Sequence, residues 1–230
     1  MEKPIKHAML FIGKPDDQFS KKAFFFAKSL FPTAVDLSKF SIEEIQNYTA
    51  DWNGDIIISY LAKVILPAPI LKKAKRCAIN FHPAPPEYRG VGGANFAIYR
   101  QEKKFGVTAH HMKPVVDSGQ IIEVCRFPIS RLDNLESLLE KSYVHQFALF
   151  KKIMLVLEKD AKLPSSNEQW TSHLITRREL NNLGTIRLGQ STEEATQRIK
   201  ATTFPGWMPK LVVGQNEYDL VKRPNEGGKK

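Results

Sequence analysis

Cysteine is scarce in this chain of 230 residues, with Cys77 and Cys125 the only two. Each lies inside an apolar, strand-like run, which argues against a disulfide-stapled secreted scaffold and predicts free thiols in a reducing compartment. No metal-ligand spacing is present, so no metal is expected. Long apolar runs are missing too: none approaches the roughly 20 residues that cross a bilayer. Residues 1–6 lead into a short apolar run without a signal-like cleavage region. A cytoplasmic protein without membrane contact is the expectation.

Acidic residues are the scarcer charge, 24 against 34 Lys and Arg, for a formal net charge of +10. Such an excess suits polyanionic partners. The basic residues are nevertheless scattered, with no run of four, and aromatics do not interleave with them as in a single-strand groove. Net charge alone motivates a nucleic-acid-binding module; the missing aromatic-basic patch speaks against it. A generally basic soluble surface and a pyrophosphate-bearing ligand remain as the two readings.

What is present is an alternation of short apolar runs and helical segments. Residues 8–12, 33–37, 55–60 and 77–81 read as strands by apolar and β-branched content. Helices are predicted at 19–31 and, with Pro in the first turn, at 67–75. Ser41 and Glu44 form a capping-box signature for another short helix between them. This pattern predicts an open, mainly parallel, Rossmann-like α/β sheet with helices on both faces, binding ligands beyond the carboxyl ends of its strands. After a helix at 93–100, runs at 105–112 and 121–128 predict an antiparallel addition. Asp133 with Glu136 is the expected cap of a long amphipathic helix to about residue 159. A polar linker follows, then a helix at 192–200 and a hairpin with its loop at 214–217. The expected organisation is a catalytic domain over 1–162, a small C-terminal helix and β-hairpin segment over 163–223, and a disordered tail at 224–230. A lone hairpin is marginal in water, so the segment is expected to dock on the main domain or to mediate a homodimer.

Chemistry concentrates at Asn80, His82 and Asp117. In strand geometry Asn80 and His82 share a face. An amide, an imidazole and a carboxylate at strand ends are what acyl transfer to an amine requires: an oxyanion donor, a base and a partner for it. Taken singly, each residue is as readily a turn former or a satisfied polar group. His110 follows on the later strand, and His111 is expected on its opposite face.

Asn-x-His-Pro at 80–83, the Tyr88-Arg89-Gly90 turn, Gly106-Val107-Thr108 and Asp117-Ser118-Gly119-Gln120-Ile121-Ile122, in this order, resemble the folate-dependent formyltransferases. The HPAPPEYRG wording of 82–90 and the ATTFPG of 201–206 resemble most their sugar N-formyltransferase branch. The resemblance implies Asn80, His82 and Asp117 as the catalytic triad. It implies 10-formyltetrahydrofolate as cosubstrate, its pterin held by loops corresponding to Leu61, Lys63, Val64 and Ile65 and to Val115, Val116, Ser118 and Gly119. It makes His110 a candidate support for the triad.

Departures from the pattern bear on the acceptor. Glycinamide formyltransferases carry a Gly-rich phosphate loop after the first strand; here that place reads Gly13-Lys14-Pro15-Asp16-Asp17. Initiator-tRNA formyltransferases have a substantial basic C-terminal domain, absent from these 230 residues. The implied acceptor is a nucleotide-linked amino sugar such as dTDP-4-amino-4,6-dideoxyglucose, used in surface polysaccharide synthesis. A GDP- or UDP-linked sugar, a glycinamide ribonucleotide or initiator tRNA is the alternative within the class. Arg89 and the stacking candidates Tyr88, Tyr99, Phe204 and Trp207 are the expected acceptor contacts.

Overall fold

The computed structural model describes residues 7–221; the tail expected at 224–230 lies outside them. Along the chain run β1 (Met9–Gly13), α1 (Gln18–Leu30), β2 (Val35–Asp36), α2 (Ile42–Tyr48), β3 (Ile56–Tyr60), α3 (Ala68–Leu71) and β4 (Cys77–His82). Then come α4 (Gly93–Tyr99), β5 (Lys104–His111), β6 (Ile121–Pro128) and α5 (Leu135–Glu158). The sheet order is β2-β1-β3-β4-β5-β6. Pairing is parallel through β4 and antiparallel from β4 to β5 and β5 to β6. The mixed α/β sheet is the one that the alternation of runs predicts.

β1 and β3 are buried along their whole length, as parallel strands become when helices cover both faces. One covering helix is α5, which lays Leu138, Phe150, Met154 and Leu157 on the sheet. Phe150 meets Phe81 and Tyr60 edge-on, with ring centroids 5.0 and 5.3 Å apart, and such pairs add about 1 kcal/mol each beyond area burial. Gln146 of the same helix donates from Nε2 to the Phe81 carbonyl at 2.6 Å. The backbone is thereby pinned one residue before His82.

The C-terminal part adds α6 (Arg177–Leu183), β7 (Thr185–Arg187), α7 (Thr192–Thr202), β8 (Lys210–Val213) and β9 (Asn216–Asp219). The last three strands form a second sheet, β7-β8-β9. Here α7 packs against α4: Ala201 is buried in the main core, and its carbonyl accepts from Asn95 Nδ2 at 2.8 Å. Tyr99 donates to the Glu194 carboxylate across the same contact.

Local details depart from the sequence reading in four places. α3 is a single turn, Ala68–Leu71, with Pro69 in it and no side-chain cap to support a longer helix. The cap of α5 is Asn134, in a capping box with Ser137, whereas Asp133 accepts from Ser130 and Lys141 beside it. The hairpin turn is tighter than 214–217, since Val213 pairs with Asn216 and Gly214 takes φ 62°. α6 and β7 have short, polar sequences that carry no periodic signal; a Thr176–Glu179 capping box opens α6, and tertiary pairing with β8 makes β7. Among the described residues no helix is long and apolar enough to cross a membrane.

Candidate active site

β4 delivers Asn80 and His82 to the carboxyl edge of the parallel sheet, and the adjacent β5 delivers His110. Asn80 pairs in register with His110 across the regular antiparallel β4–β5 ladder. The result is a contact of 3.1 Å between Asn80 Nδ2 and His110 Nε2. Nδ1 of His110 donates to the His111 carbonyl at 2.9 Å, so Nε2 is the ring nitrogen left to accept in the neutral form. An acceptor there orients the amide and leaves Nδ2 a second hydrogen to give.

The loop between β5 and β6 returns Asp117 to the same place. Its carboxylate lies between two imidazoles, with Oδ2 3.5 Å from His82 Nδ1 and Oδ1 3.4 Å from His110 Nε2. Gly90 N–H donates to Oδ2 at 3.0 Å. Burial by itself pushes the carboxyl up, but the neighbouring imidazoles of His82 and His110, which attract the carboxylate when protonated, and the Gly90 hydrogen bond outweigh it and hold Asp117 at about 2. Asp117 is therefore ionised throughout the working pH range. His82 donates from Nε2 to the Tyr88 carbonyl at 2.9 Å, which leaves Nδ1, beside Asp117, as the nitrogen able to exchange a proton.

Asp117 takes φ 47°, a left-handed conformation that costs a non-glycine residue about 1 kcal/mol or more. Gly119 explains part of how the loop tolerates it. A Cβ there would lie 1.6 Å from the His111 carbonyl oxygen, so only glycine lets the loop close on β5.

Two cavities meet at His82. The first, about 430 Å³, is walled by Leu61, Val64, Ile65 and Leu66 on one side and by Asn80, His110, Val116 and Asp117 on the other. The second, about 340 Å³, holds Phe204, Trp207, Arg177 and Leu180. Pro205-Gly206 makes the turn that presents this aromatic pair: Phe204 and Trp207 exchange both backbone hydrogen bonds, and Gly206 takes φ 85°, as a Pro-Gly turn of type II requires.

The residues singled out from sequence thus divide. Asn80, His82 and Asp117 converge. Leu61, Lys63, Val64, Ile65 and Val116 line the first cavity; Phe204 and Trp207 line the second. Val115, Ser118 and Gly119 do not line it: Val115 faces solvent, Ser118 turns its hydroxyl back to the Val115 carbonyl, and Gly119 is packed under β5. Tyr88 is 3% exposed, its hydroxyl on Glu102 and its ring under Arg100, so it has no face free for stacking. Arg89 donates to the Val116 carbonyl, and Tyr99 is held by Glu194; neither lines either cavity. Sequence reasoning missed Trp170, whose indole N–H donates to the Gly119 carbonyl at 2.8 Å and whose ring stands edge-on to His110 and His82. A lone tryptophan in a polar linker was the available signal.

The profile of the formyl transferase family matches residues 14–151. The chain belongs to this family. Over 197 residues it is 28% identical to the bifunctional polymyxin resistance protein ArnA of Wigglesworthia glossinidia brevipalpis, covering 83% of this chain and 30% of that protein. Over 171 residues it is 26% identical to a GDP-perosamine N-formyltransferase of Brucella melitensis, covering 74% of this chain and 65% of the relative. The chain therefore spans about a third to two thirds of the length of these curated relatives. Among solved structures, an N-formyltransferase from Helicobacter canadensis, in complex with folinic acid and dTDP-3-aminofucose, superposes with a TM-score of 0.71 at 18% identity. That match covers 91% of this chain and 85% of the other, and at such identity it establishes a shared fold.

Proposed function

We propose that the protein transfers a formyl group from 10-formyltetrahydrofolate to the amine of a nucleotide-linked amino sugar. The observation that carries this reading is His82 standing in the common wall of two cavities, with Asn80 and Asp117 beside it. The first cavity has the size and the apolar, main-chain-rich lining of a site for a flat heteroaromatic ring. The second offers an aromatic pair and one cation, Arg177, for a nucleotide and its phosphates. A donor and an acceptor placed there would meet at His82.

Attack of the sugar amine on the formyl carbon forms the new C–N bond and places negative charge on the formyl oxygen. Asn80 Nδ2 donates to that oxygen, a contact worth roughly 3 to 4 kcal/mol. His82 Nδ1 accepts the amine proton, and the ionised Asp117 stabilises the resulting imidazolium. As the oxyanion collapses and the bond to the folate nitrogen breaks, Nδ1 returns a proton to that nitrogen. Protons and charge balance without a further reactant.

The nucleotide is proposed as dTDP, with a 4-amino-4,6-dideoxyhexose as acceptor and a role in surface polysaccharide synthesis. The Brucella relative supports GDP as the second reading. A glycinamide ribonucleotide is disfavoured because Asp17 caps the N-terminus of α1 and faces Lys14, leaving a carboxylate where an anion would be drawn. We place the reaction in the cytoplasm, consistent with the free Cys77 and Cys125. The division into residues 1–162 and 163–223 belongs to the same proposal, with the β7-β8-β9 sheet, where Tyr218 is exposed, as the surface for a second copy.

A thermal-shift panel with folinic acid, dTDP, UDP and GDP tests the assignment. Folinic acid and one nucleotide should each raise the unfolding midpoint, since a ligand at about 100 times its Kd adds roughly 2.7 kcal/mol. No shift with folinic acid, together with no formylation of any amino sugar, would remove the reading.

A further inference from the structure

The left-handed backbone of Asp117 needs a loop held from outside, and two side chains from distant parts of the chain hold it. Arg89 donates from Nε and Nη2 to the Val116 carbonyl, at 3.1 and 2.8 Å. Trp170 donates from Nε1 to the Gly119 carbonyl at 2.8 Å. One grip lies just before Asp117 and the other just after it. Neither side chain lines the two cavities, so neither is placed to touch a ligand there.

Trp170 is itself fixed by main-chain pairing of the segment that carries it. Ser166 N–H donates to Ile121, Thr171 N–H to Pro86, and Ile175 N–H to Arg89, at 3.0, 3.2 and 2.9 Å. The segment thus crosses the site like a strap, tied to β6 on one side and to the 86–91 turn on the other. From it the indole reaches the rings of His110 and His82, with centroids 4.9 and 5.8 Å away and nearly perpendicular to the first. Arg89 and Trp170 are also linked, because the turn that positions the guanidinium is the one that receives the strap.

We propose that Arg89 and Trp170 are positioning residues, gripping the peptide carbonyls on either side of Asp117 and so holding its carboxylate between His82 and His110. The kinetic consequence rests on the formyl-transfer reading; the grip does not. Arg89 suits the role because its planar fork gives two parallel N–H groups to one oxygen, which lysine cannot do. Trp170 suits it because it combines a donor with a ring packed edge-on against both imidazoles.

The test uses the full chain with Arg89→Met, Arg89→Lys and Trp170→Phe, the last keeping a ring but losing the donor. Amide hydrogen exchange at residues 115–119 should rise about tenfold or more in Arg89→Met and Trp170→Phe, with the exchange of β1, β3 and β4 unchanged. The kcat for formyl transfer should fall about tenfold or more, with KM for the amino sugar near parental and Arg89→Lys intermediate. Unchanged exchange at 115–119 in both variants overturns the grip. Raised exchange with a parental kcat overturns the positioning role. Should the parent transfer no formyl group to any amine, the exchange data still decide the grip while the functional reading falls.

Discussion

Asn80 and His110 face each other across neighbouring antiparallel strands, and the imidazole holds the amide at 3.1 Å. The amide that would serve as oxyanion donor is thus oriented by a side chain that need not touch the substrate. Asn80→Ala should lower kcat by roughly a hundredfold or more while leaving the fold intact. His110→Ala should cost about tenfold or more through misplacement of the amide and of the Asp117 carboxylate beside it. Steady-state kinetics on both, and on the double variant, check the coupling. If His110 acts through Asn80, its loss adds little once Asn80 is gone.

Asp117 is held at about 2, well below the ordinary carboxylate range, and the sign of its pH effect follows. A depressed carboxyl contributes stability that is present above the unfolded value near 3.8 and is lost as pH falls through the folded one. The contribution at neutral pH is about 2 kcal/mol. Asp117→Asn should flatten the dependence of stability on pH between about 4 and 2. Chemical denaturation across that window is the measurement. An acid limb of the rate profile near neutrality would belong to an imidazole, because Asp117 does not titrate there.

Gly119 leaves no room for a side chain, with a built Cβ only 1.6 Å from the His111 carbonyl oxygen. Gly119→Ala should displace the loop or destabilise the protein by about 2 kcal/mol or more. Activity should disappear before the sheet melts. Circular dichroism melts beside activity separate the two outcomes.

Tyr88 and Trp207 looked alike as stacking candidates but should respond differently. Tyr88→Phe removes the hydrogen bond to Glu102 and should cost about 1 kcal/mol of stability, with KM unchanged. Trp207→Ala should raise KM for the amino sugar about tenfold, with stability little affected. Paired unfolding curves and kinetics decide between them.

Much of this architecture was legible before any coordinates. The alternation of Ile-rich runs with helical segments follows from burial on both faces of a parallel sheet, and the two-residue period puts Asn80 and His82 on one side. Pro205-Gly206 dictates its turn locally, as the type II geometry between Phe204 and Trp207 shows. Such features depend on neighbours within a few residues, and the chain's own chemistry determined them. Which aromatic and which cation reach the cavities was decided only in three dimensions. Tyr88, Tyr99 and Arg89 found partners in Glu102, Glu194 and the Val116 carbonyl, all brought close by packing of distant elements. His110 gained its role from a cross-strand register, and Trp170 from a strap tied across the site. No local pattern encodes such meetings, because the free energy that selects them comes from contacts formed only once the whole chain has closed.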